Sequence, residues 1–554
     1  MHDALQLPEI VHAIAAQLIA WPSQKRTLVS FALACRAFED PALDELWREP
    51  GEKLLERLLG CFPDGIFDYS ITQEKLAVRL HRPVTLRDWE RPFRYCRRVR
   101  RWVSGYDTTT KYSPVLNLFV ISLPAEFLFP RLESLHWDAS NPAAAAKKRE
   151  AEAMAFLRIL VSPSLKYLHV NRPSGMRLVL SVLPIVSTRA RLLTHVYLGS
   201  GRKEMFRLPV DVRFELGCST GERLAISDFV LSLDRLEEFA APAIDARAFL
   251  HLATLPDLRK LRLETCLDAV PDPPRLTETF ACLSTFCVAL LAMPAAIRLL
   301  PLIADAPLHK FRFTPIPSTT TEELADFYAK FAANPIRQSL RSLTQLDREG
   351  EDADPNWIVS KPVFLAITAL SQLTTLQLCS PTLFDVDELG LLSLARALPH
   401  LETLSLSQSS TESRIQLDSL VRLAPLCPRL ECLELTLREP PERIPLIHPH
   451  VTGLPHERRR SAFDRLGGFS AGHTLVRADQ VFDVARFLSG LMPRLDQLVC
   501  AWGAGLPGER LNQEQQICER WIEVSRLVGD LHEVRREEVE WAGFERDHGM
   551  DGQA

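Results

Sequence analysis

The sequence has little of what marks metal-binding or disulfide-stapled proteins. Its 12 cysteines include no C-x-x-C pair, and the closest of them, such as Cys282 and Cys287, are five residues apart. Structural zinc sites and dense disulfide frameworks need tighter and more regular spacing. Three histidines, His448, His450 and His456, share one proline-rich segment, but neither their spacing nor any carboxylate arrangement supports a metal site. We therefore expect reduced, mostly buried thiols and no metal.

The sequence also lacks a segment that would cross a membrane or direct secretion. The most apolar stretch, residues 285–297, contains Pro294 and ends at Arg298. It is short of the roughly 20 residues that a spanning helix needs. The N-terminus carries Asp3 and Glu9 where a secretory signal has a basic region. We expect a cytoplasmic and/or nuclear protein with no membrane partner.

An excess of charge of one sign is missing as well. The chain of 554 residues has 65 basic and 70 acidic side chains, a net charge of −5, with 46% apolar and 24% charged residues. Its mean hydropathy is −0.02. These are ordinary values for a soluble globular protein, and they exclude collagen-like, coiled-coil and wholly disordered chains. They give no whole-chain argument for nucleic acid or an anionic membrane as a partner.

Familiar catalytic motifs are absent, with one exception. There is no Walker A loop, no G-x-G-x-x-G and no H-E-x-x-H. The exception is a G-x-S-x-G sequence at residues 468–472, followed by His473. A nucleophile elbow needs a buried strand before its serine, whereas residues 456–467 are polar and basic. We predict a flexible loop here and a chain that is not an enzyme, and we keep a hydrolase using Ser470 as an alternative.

What the sequence does have is one short phrase that recurs. The phrase L-x-x-L-x-L, with Phe, Val or another residue replacing some leucines, occurs twelve times at intervals of 22 to 65 residues. Several intervals match the period of about 20–29 residues typical of leucine-rich repeats. The longest intervals predict insertions or degenerate copies. The copies begin at Leu132, Leu165, Leu193, Leu236, Leu258, Leu283, Leu308, Leu340, Leu373, Leu401, Leu430 and Leu495.

The residues before the phrase predict a helix in each unit. In residues 393–406, 419–435 and 484–500 an amphipathic helix ends, a proline follows and a short strand begins. Proline cannot continue a helix, and it favours extended geometry in the residue before it. Over residues 93–505 the chain resembles irregular leucine-rich-repeat proteins, although it mostly lacks the asparagine or cysteine usual in the turn after the strand. The resemblance implies an α/β solenoid, with a curved parallel sheet and outer helices that stack from unit to unit.

The alternation of each strand predicts which side chains face the concave side. The second and third apolar residues of the phrase point inward, so the residue between them points outward. With the flanking row, this central row predicts one basic patch of Lys260, Arg262, Lys310 and Arg312, which would bind an acidic or phosphorylated target. The alternative is that exposed strand residues are simply polar. The central row is His136, His169, Tyr197, Ala240, Arg262, Cys287, Arg312, Thr344, Gln377, Ser405, Glu434 and Val499.

The C-terminal residues 511–541 predict one or two amphipathic helices. A polar face opposite the apolar one suits a terminal cap on a solenoid, and a dimerising helix is the alternative. The apolar face recurs at three-to-four spacing and consists of Ile517, Trp521, Val524, Leu527, Val528, Leu531 and Val534.

The first fifty residues predict three short helices. Pro8 suits the first turn of one helix, a second starts near Thr27, and a third spans residues 40–47 with Pro41 in its first turn. Three helices in about forty residues bury little apolar surface alone. The segment therefore either packs on the solenoid or binds another protein through its apolar face.

The order L-P-E-I, then L-V-S-F-A-L-A-C-R-A-F, then P-A-L-D-E-L-W resembles the F-box, in particular the F-boxes of fungal proteins that carry irregular leucine-rich repeats. A common F-box start has one residue between the proline and the acidic position, whereas Pro8 and Glu9 are adjacent here. In that family the box docks on the Skp-type adaptor of a cullin–RING ubiquitin ligase, and the repeats present the target. The resemblance implies an adaptor-facing set of Leu7, Pro8, Ile10, Val11, Ile14, Leu18, Leu28, Phe31, Cys35, Phe38, Leu46 and Trp47.

A basic run follows at residues 87–103, where seven arginines are mixed with Trp89, Tyr95 and Trp102. That composition is found in sites for single-stranded nucleic acid. Tyr95, Val99 and Trp102 fit better as the apolar side of a first repeat unit, with arginine on the solvated side. A similar phrase also precedes the repeats of the fungal F-box family, so we predict no nucleic-acid partner.

The predicted organisation is an F-box at 1–50, a helical linker at 51–92, the solenoid at 93–505 with a loop insertion near 438–475, and a helical cap and tail at 506–554. The predicted function is target recognition for an SCF-type cullin–RING ubiquitin ligase, without catalysis and without a cofactor. Its partners would be a Skp-type adaptor, through it a cullin, and an unknown target protein. The alternative is a leucine-rich-repeat scaffold with no role in ubiquitin transfer.

Overall fold

The computed structural model describes residues 7–18, 24–51, 53–72, 75–104, 108–138, 156–171, 176–199, 218–265, 279–316, 318–346, 357–444, 462–502 and 510–547. The chain divides into two compact units. The first unit comprises residues 1–267 and 280–282, and the second comprises residues 268–279 and 283–554. Both units are α/β, with parallel strands linked through helices.

The first unit begins with three helices, α1 (Pro8–Leu18), α2 (Gln24–Ala34) and α3 (Arg36–Arg48). The third helix starts earlier than predicted, so Pro41 lies inside it and removes one backbone hydrogen bond there. A small apolar core joins the three helices. Its buried members are Ala15, Leu28 and Ala42, with Leu18, Phe31, Ala32 and Leu46 packed around them.

Residues 51–92 differ from the predicted helical linker, because they contain an antiparallel hairpin. The alternation in F-D-Y-S-I-T and K-L-A-V-R-L has the period of two that a strand requires, and residues 67–72 pair with residues 75–80. The Phe62 ring lies 4.9 Å from Trp89 and 5.4 Å from Phe67, centroid to centroid. The elements are α4 (Leu54–Leu59), β1 (Phe67–Thr72), β2 (Lys75–Leu80), a 3-10 turn (Leu86–Trp89) and α5 (Glu90–Cys96).

Six parallel strands follow in the first unit, each paired with the next along the chain. They are β3 (Arg101–Val103), β4 (Ser134–Asp138), β5 (Tyr167–Asn171), β6 (His195–Gly199), β7 (Glu238–Ala241) and β8 (Lys260–Leu263). The helices between them are α6 (Thr108–Ser122), Met176–Arg189, Thr220–Val230 and Ala246–Thr254, and residues 156–160 are also helical.

The second unit repeats the arrangement with eight parallel strands, joined by a small parallel pair, β12 (Ile358–Val359) and β14 (Leu383–Phe384). The eight are β9 (Thr285–Leu291), β10 (Lys310–Pro315), β11 (Ser342–Gln345), β13 (Thr375–Ser380), β15 (Thr403–Gln408), β16 (Cys432–Leu435), β17 (Gly468–Ser470) and β18 (Gln497–Val499). The helices are Met293–Leu299, Thr321–Ala333, Lys361–Ile367, Glu388–Ala397, Ser419–Leu423, Val481–Leu491 and the C-terminal helix, Arg510–Asp547.

The recurring phrase is confirmed as the strand signal, since all twelve copies form parallel strands. The leading leucine of every copy is at most 6% exposed, so it anchors the strand to the core behind the sheet. Within β13 the next two apolar residues, Leu376 and Leu378, are fully buried. Burial of this kind contributes roughly 1.5–3 kcal/mol per leucine side chain, which is why a short phrase suffices to define each strand.

A buried glutamine links β11 to its neighbours in the second unit. At the end of β11, Gln345 accepts a 2.8 Å hydrogen bond from the Tyr328 hydroxyl and donates one of 3.2 Å to the carbonyl of Cys379, near the end of β13. Because buried polar groups need partners, these two bonds join the end of β11 to the preceding helix and to the adjacent strand.

The C-terminal helix is a single helix from Arg510 to Asp547. Ile517, Trp521, Val524 and Val528 are buried, and the helix packs on Val481–Leu491. The predicted apolar face continues to Val534, but that side chain is exposed. The buried apolar side chains of the helix thus lie in its first half, while Arg535 in the second half donates to the Ser489 carbonyl at 2.5 Å.

Candidate functional site

The three N-terminal helices distribute the predicted adaptor-facing residues over three environments. At the start of α1, Leu7 is 52% and Ile10 is 37% exposed, and Pro8 is exposed as well. Val11 and Leu28 are buried, which makes them core residues of the helical set. The remaining members are half-buried: Ile14, Leu18, Phe31, Cys35, Phe38, Leu46 and Trp47.

Two exposed apolar residues on α2 were not in the predicted set. Val29 and Leu33 are separated by four residues, so they lie on one face of the helix, and Leu33 is 82% exposed. The signal was available in the sequence L-V-S-F-A-L-A, where the apolar residues form two helix faces instead of one. With Leu7 and Ile10, they give α1 and α2 four exposed large apolar side chains.

The third helix is fastened to the rest of the first unit. The Trp47 and Tyr95 rings are stacked with centroids 4.7 Å apart. Arg98 pairs with both Asp40 and Asp44 of α3, while the Arg100 backbone N–H donates to the Arg48 carbonyl at 3.0 Å. These contacts hold α3 against α5 and the residues just after it.

The charges at this junction are matched within the chain. The Arg98 guanidinium lowers the pKa of Asp40 below its usual value, with Arg94 adding to the effect. Arg94 also lies 2.9 Å from Glu39, and its own pKa is raised by Asp40 and Glu39. Part of the basic run at 87–103 thus neutralises acidic residues of α3.

The tryptophans of that run are unavailable for stacking on bases. Trp89 and Trp102 are both buried. Trp102 packs edge-on against Phe129 and Trp137, with centroids 5.7 Å away in each case. Val99 is buried beside them in the sequence, as the repeat interpretation expects.

The sheet face of the first unit carries an aromatic ladder. Strand register places His136, His169, Tyr197, Ala240 and Arg262 side by side on successive strands. The two histidine rings lie 4.0 Å apart with a 2.9 Å contact between their Nδ1 atoms. Two neighbouring Nδ1 atoms form a hydrogen bond only when one carries hydrogen and the other does not, so one ring of this pair donates and the other accepts.

Next to this ladder, one carboxylate gathers three partners. Glu238 on β7 accepts hydrogen bonds from the Tyr197 hydroxyl and from Lys260, whose Nζ is 2.7 Å away, and His195 lies 3.8 Å from it. Burial alone would raise the pKa of Glu238, but the bonds from Lys260 and Tyr197 outweigh it and lower that pKa. Glu238 is therefore held as an anion on the sheet face.

We expect Glu238→Gln to lower the free energy of unfolding by about 1–2 kcal/mol at neutral pH, because hydrogen bonds to a charged group are lost. Solvent screening keeps this loss small, since Lys260 is only partly shielded. The pKa of Glu238 is lowered by folding, so its contribution is complete above the unfolded value of about 4.3 and disappears as pH falls through the folded value. Urea unfolding from pH 7 to pH 3 measures this. The neighbouring Glu237→Gln is the matched control, with a change within about 0.5 kcal/mol; an equal loss in both variants would contradict the prediction.

The exposed charges at the strands of the second unit change sign from β10 to β16. Lys310 and Arg341, at or just before β10 and β11, are exposed, as are Glu402 and Glu431 just before β15 and β16. Glu434 on β16 accepts a 2.6 Å hydrogen bond from Ser405 on the adjacent strand. At about 4.8 Å per strand, the basic and acidic residues lie roughly 10–19 Å apart, from two strand steps between β11 and β15 to four between β10 and β16.

The predicted basic patch falls in both units. Lys260 and Arg262 lie on β8 of the first unit, and Lys310 and Arg312 lie on β10 of the second. Lys260 is paired with Glu238 of its own sheet, which the sequence did not indicate. The single four-residue patch stays a prediction.

The G-x-S-x-G segment is ordered, so the prediction of a loop at Ser470 is wrong. Residues 468–470 form β17, between β16 and β18. Gly472 has a φ of +52°, and a Cβ there would collide with Thr436 Oγ1, which gives this glycine a structural reason. The adjacent His473 bonds through Nδ1 to the Gln408 carbonyl at 2.7 Å and so has a structural partner of its own.

Metal-ligand clusters and membrane-spanning helices are both absent from the described residues. No group of three or more His, Cys, Asp or Glu in that part of the chain could hold a metal ion. Within the same residues, no helix is both long and apolar enough to traverse a bilayer. His448, His450 and His456 lie outside the described residues.

No protein-family model matches the chain, and no curated protein matches it. Among solved structures it is similar to one described as the crystal structure of the Rad7 and Elc1 complex in yeast, at 12% identity and a TM-score of 0.31, over 74% of this chain and 78% of that one.

Proposed function

We propose that this chain is the target-recognition subunit of an SCF-type cullin–RING ubiquitin ligase. Helices α1–α3 dock on a Skp-type adaptor, and through it on a cullin, while the repeat units bind a target protein. The chain forms no bonds itself and needs no cofactor, because it contributes by holding the target near the ligase. Its site of action is the cytoplasm, the nucleus or both.

The observation that carries the proposal is the exposed apolar surface of α1 and α2. Leu7, Ile10, Val29 and Leu33 remain exposed while α3 is fastened by ion pairs and the Trp47–Tyr95 stack. An anchored helix set that presents unburied apolar side chains suits a docking surface, since interfaces gain most of their affinity from a few desolvated anchors.

The target side of the proposal rests on charge. In the second unit Lys310 and Arg341 are exposed at β10 and β11, and acidic residues stand at β15 and β16: Glu402, Glu431 and Glu434. An extended target segment with acidic or phosphorylated residues at one end and basic residues at the other is complementary to this arrangement. Opposite charges at the two ends of the target segment fix its orientation on the repeats and disfavour binding in the reversed direction.

The experiment that tests the proposal is a binding titration of the full chain with a purified Skp-type adaptor. We expect a one-to-one complex by calorimetry and by mass from light scattering. A chain that unfolds cooperatively yet shows no binding at 50 μM of each partner would contradict the proposal.

The scaffold alternative is favoured by one observation. The predicted adaptor-facing residue Trp47 is already stacked on Tyr95, as it would be in helices that merely cap the repeats. In a scaffold of this kind the adaptor would not bind, while binding of a target by the sheet faces would be unaffected.

A further inference from the structure

A cavity of about 630 Å³ lies beside the third N-terminal helix, within the first unit. Residues of α3, of the 3-10 turn Leu86–Trp89 and of α5 line it, together with Arg131 just before β4. Seven of the lining side chains are charged, four arginines and three carboxylates. Sites for small molecules are mostly apolar, so this lining fits a charged segment of another macromolecule better.

Two of the four arginines are already bound within the chain. Arg98 pairs with both Asp40 and Asp44. Arg94 lies 2.9 Å from Glu39 and 3.4 Å from Asp40. These pairs hold one wall of the cavity, α3, against the other wall, α5, and they give the site a fixed shape before any partner arrives.

The other two arginines have charge to offer. The side chains of Arg97 and Arg131 are exposed, and neither makes an ion pair or hydrogen bond within the part of the chain that the structure describes. Glu90, also exposed, is the third carboxylate of the lining. Two unpaired guanidinium groups against one carboxylate leave an excess of positive charge, to which the exposed neighbours Arg87 and Arg91 add.

An apolar anchor point lies among these charges. Leu86 is 73% exposed and lines the same cavity as Arg97 and Arg131. A large apolar side chain that a partner can cover, surrounded by polar groups, is the arrangement typical of the energetically important part of an interface.

We propose that this cavity is the docking site for an acidic segment of a partner protein. Carboxylates of the segment pair with Arg97 and Arg131, and an apolar side chain next to them covers Leu86. A guanidinium group binds a carboxylate through two parallel hydrogen bonds, which gives the contact direction as well as strength. The exposed apolar residues of α1 and α2 do not line the cavity, so this site is separate from the proposed adaptor surface.

The same lining disfavours a nucleic acid. A polynucleotide has a phosphate at every step, which would bring negative charge beside Asp40, Asp44 and Glu90 as well as beside the arginines. A peptide can alternate acidic and neutral residues and so avoid those carboxylates. Sites for single strands also stack bases on exposed aromatic rings, whereas Phe93 is half-buried and Trp89 is buried.

The test is fluorescence anisotropy of a fluorescein-labelled peptide, S-E-E-L-E-D-E-S, titrated with the folded full-length chain. We expect saturable binding that Arg97→Gln/Arg131→Gln weakens by about tenfold or more, because both unpaired guanidinium groups are removed. Lys310→Gln/Arg341→Gln, a matched pair of exposed basic residues in the second unit, should leave the affinity within about twofold. Urea unfolding verifies that both variants are folded.

A second variant tests the apolar contact. Leu86→Ser should weaken binding of this peptide by about fivefold and leave the affinity of the same peptide with serine in place of its leucine unchanged, since the two leucines then act as a pair.

Several results would overturn the proposal. One is the absence of saturable binding by the folded wild type up to about 1 mM chain, and another is equal weakening in the two double variants. Tighter binding of a labelled oligothymidine, lost in Arg97→Gln/Arg131→Gln, would assign the arginines to a nucleic acid. Self-association of the chain in light scattering, lost in the same variant, would assign the cavity to a second copy.

Discussion

An aspartate in place of Ile10 is expected to weaken binding of a Skp-type adaptor by about 30- to 1,000-fold, the cost of removing one central apolar anchor of 2–4 kcal/mol. Ile10 is 37% exposed in the first turn of α1, so the change places a charge on the proposed interface. The fold should tolerate it, since an acidic residue near a helix N-terminus is favourable. Titration calorimetry measures the affinity, and urea unfolding verifies the fold.

The control has to separate docking on the adaptor from nonspecific association through exposed apolar side chains. Leu365, on the Lys361–Ile367 helix of the second unit, is 72% exposed, and Leu365→Asp should bind the adaptor as the wild type does. Leu28→Ala marks the other limit, because Leu28 is fully buried in the helical core and its loss costs about 2–5 kcal/mol of stability. Equal adaptor affinity of the wild type and Ile10→Asp would exclude this face of α1 as the docking surface.

The strands were the most predictable part of the fold because each is defined locally. A leucine at the first, fourth and sixth position of the phrase is enough to bury one side of a short strand, and the copy at Leu373 gives β13 with its fully buried Leu376 and Leu378. Register then follows from stacking equivalent positions, so His136 and His169 could be placed on adjacent strands from the sequence alone.

What the sequence did not indicate depends on partners distant along the chain. The strand at Gly468–Ser470 has only Phe469 as a buried apolar residue, and it is extended because β16 and β18 lie on either side. The pairing of Lys260 with Glu238 joins residues 22 positions apart, and no spacing rule connects them. The hairpin at 67–80 is different, because its period of two is present in the sequence and itself favours strands over the predicted helical linker.

Contacts with distant parts of the chain also explain why some of the predicted adaptor-facing residues are buried and others are exposed. A single helical stripe of Ile10, Val11 and Ile14 reads as one face, yet Val11 is buried and Ile10 is exposed. Which side of an amphipathic helix turns inward is decided by the neighbours it packs on, here α2 and α3. The sequence thus identified the helices of the candidate site, and the packing assigned their faces.

The second large effect is expected at Trp102. Trp102→Ala should lower the free energy of unfolding by about 3–5 kcal/mol, because it removes a buried indole and leaves a cavity beside Phe129 and Trp137. The neighbouring Arg101→Ala, at an exposed position of the same strand, should change it by no more than about 0.5 kcal/mol. Urea unfolding followed by circular dichroism compares the two variants with the wild type.

This comparison also decides what the basic run at 87–103 is for. If its aromatic residues stacked on nucleic-acid bases, Trp102→Ala would weaken binding of a labelled oligothymidine and leave unfolding unchanged. If Trp102 is the first core residue of the repeats, the variant is destabilised. The wild type then shows no appreciable affinity for the oligonucleotide, as its net charge of −5 leads us to expect. The second outcome follows from the structure, since an indole enclosed by Phe129 and Trp137 presents no face to a base, and Arg98 is already paired with Asp40 and Asp44.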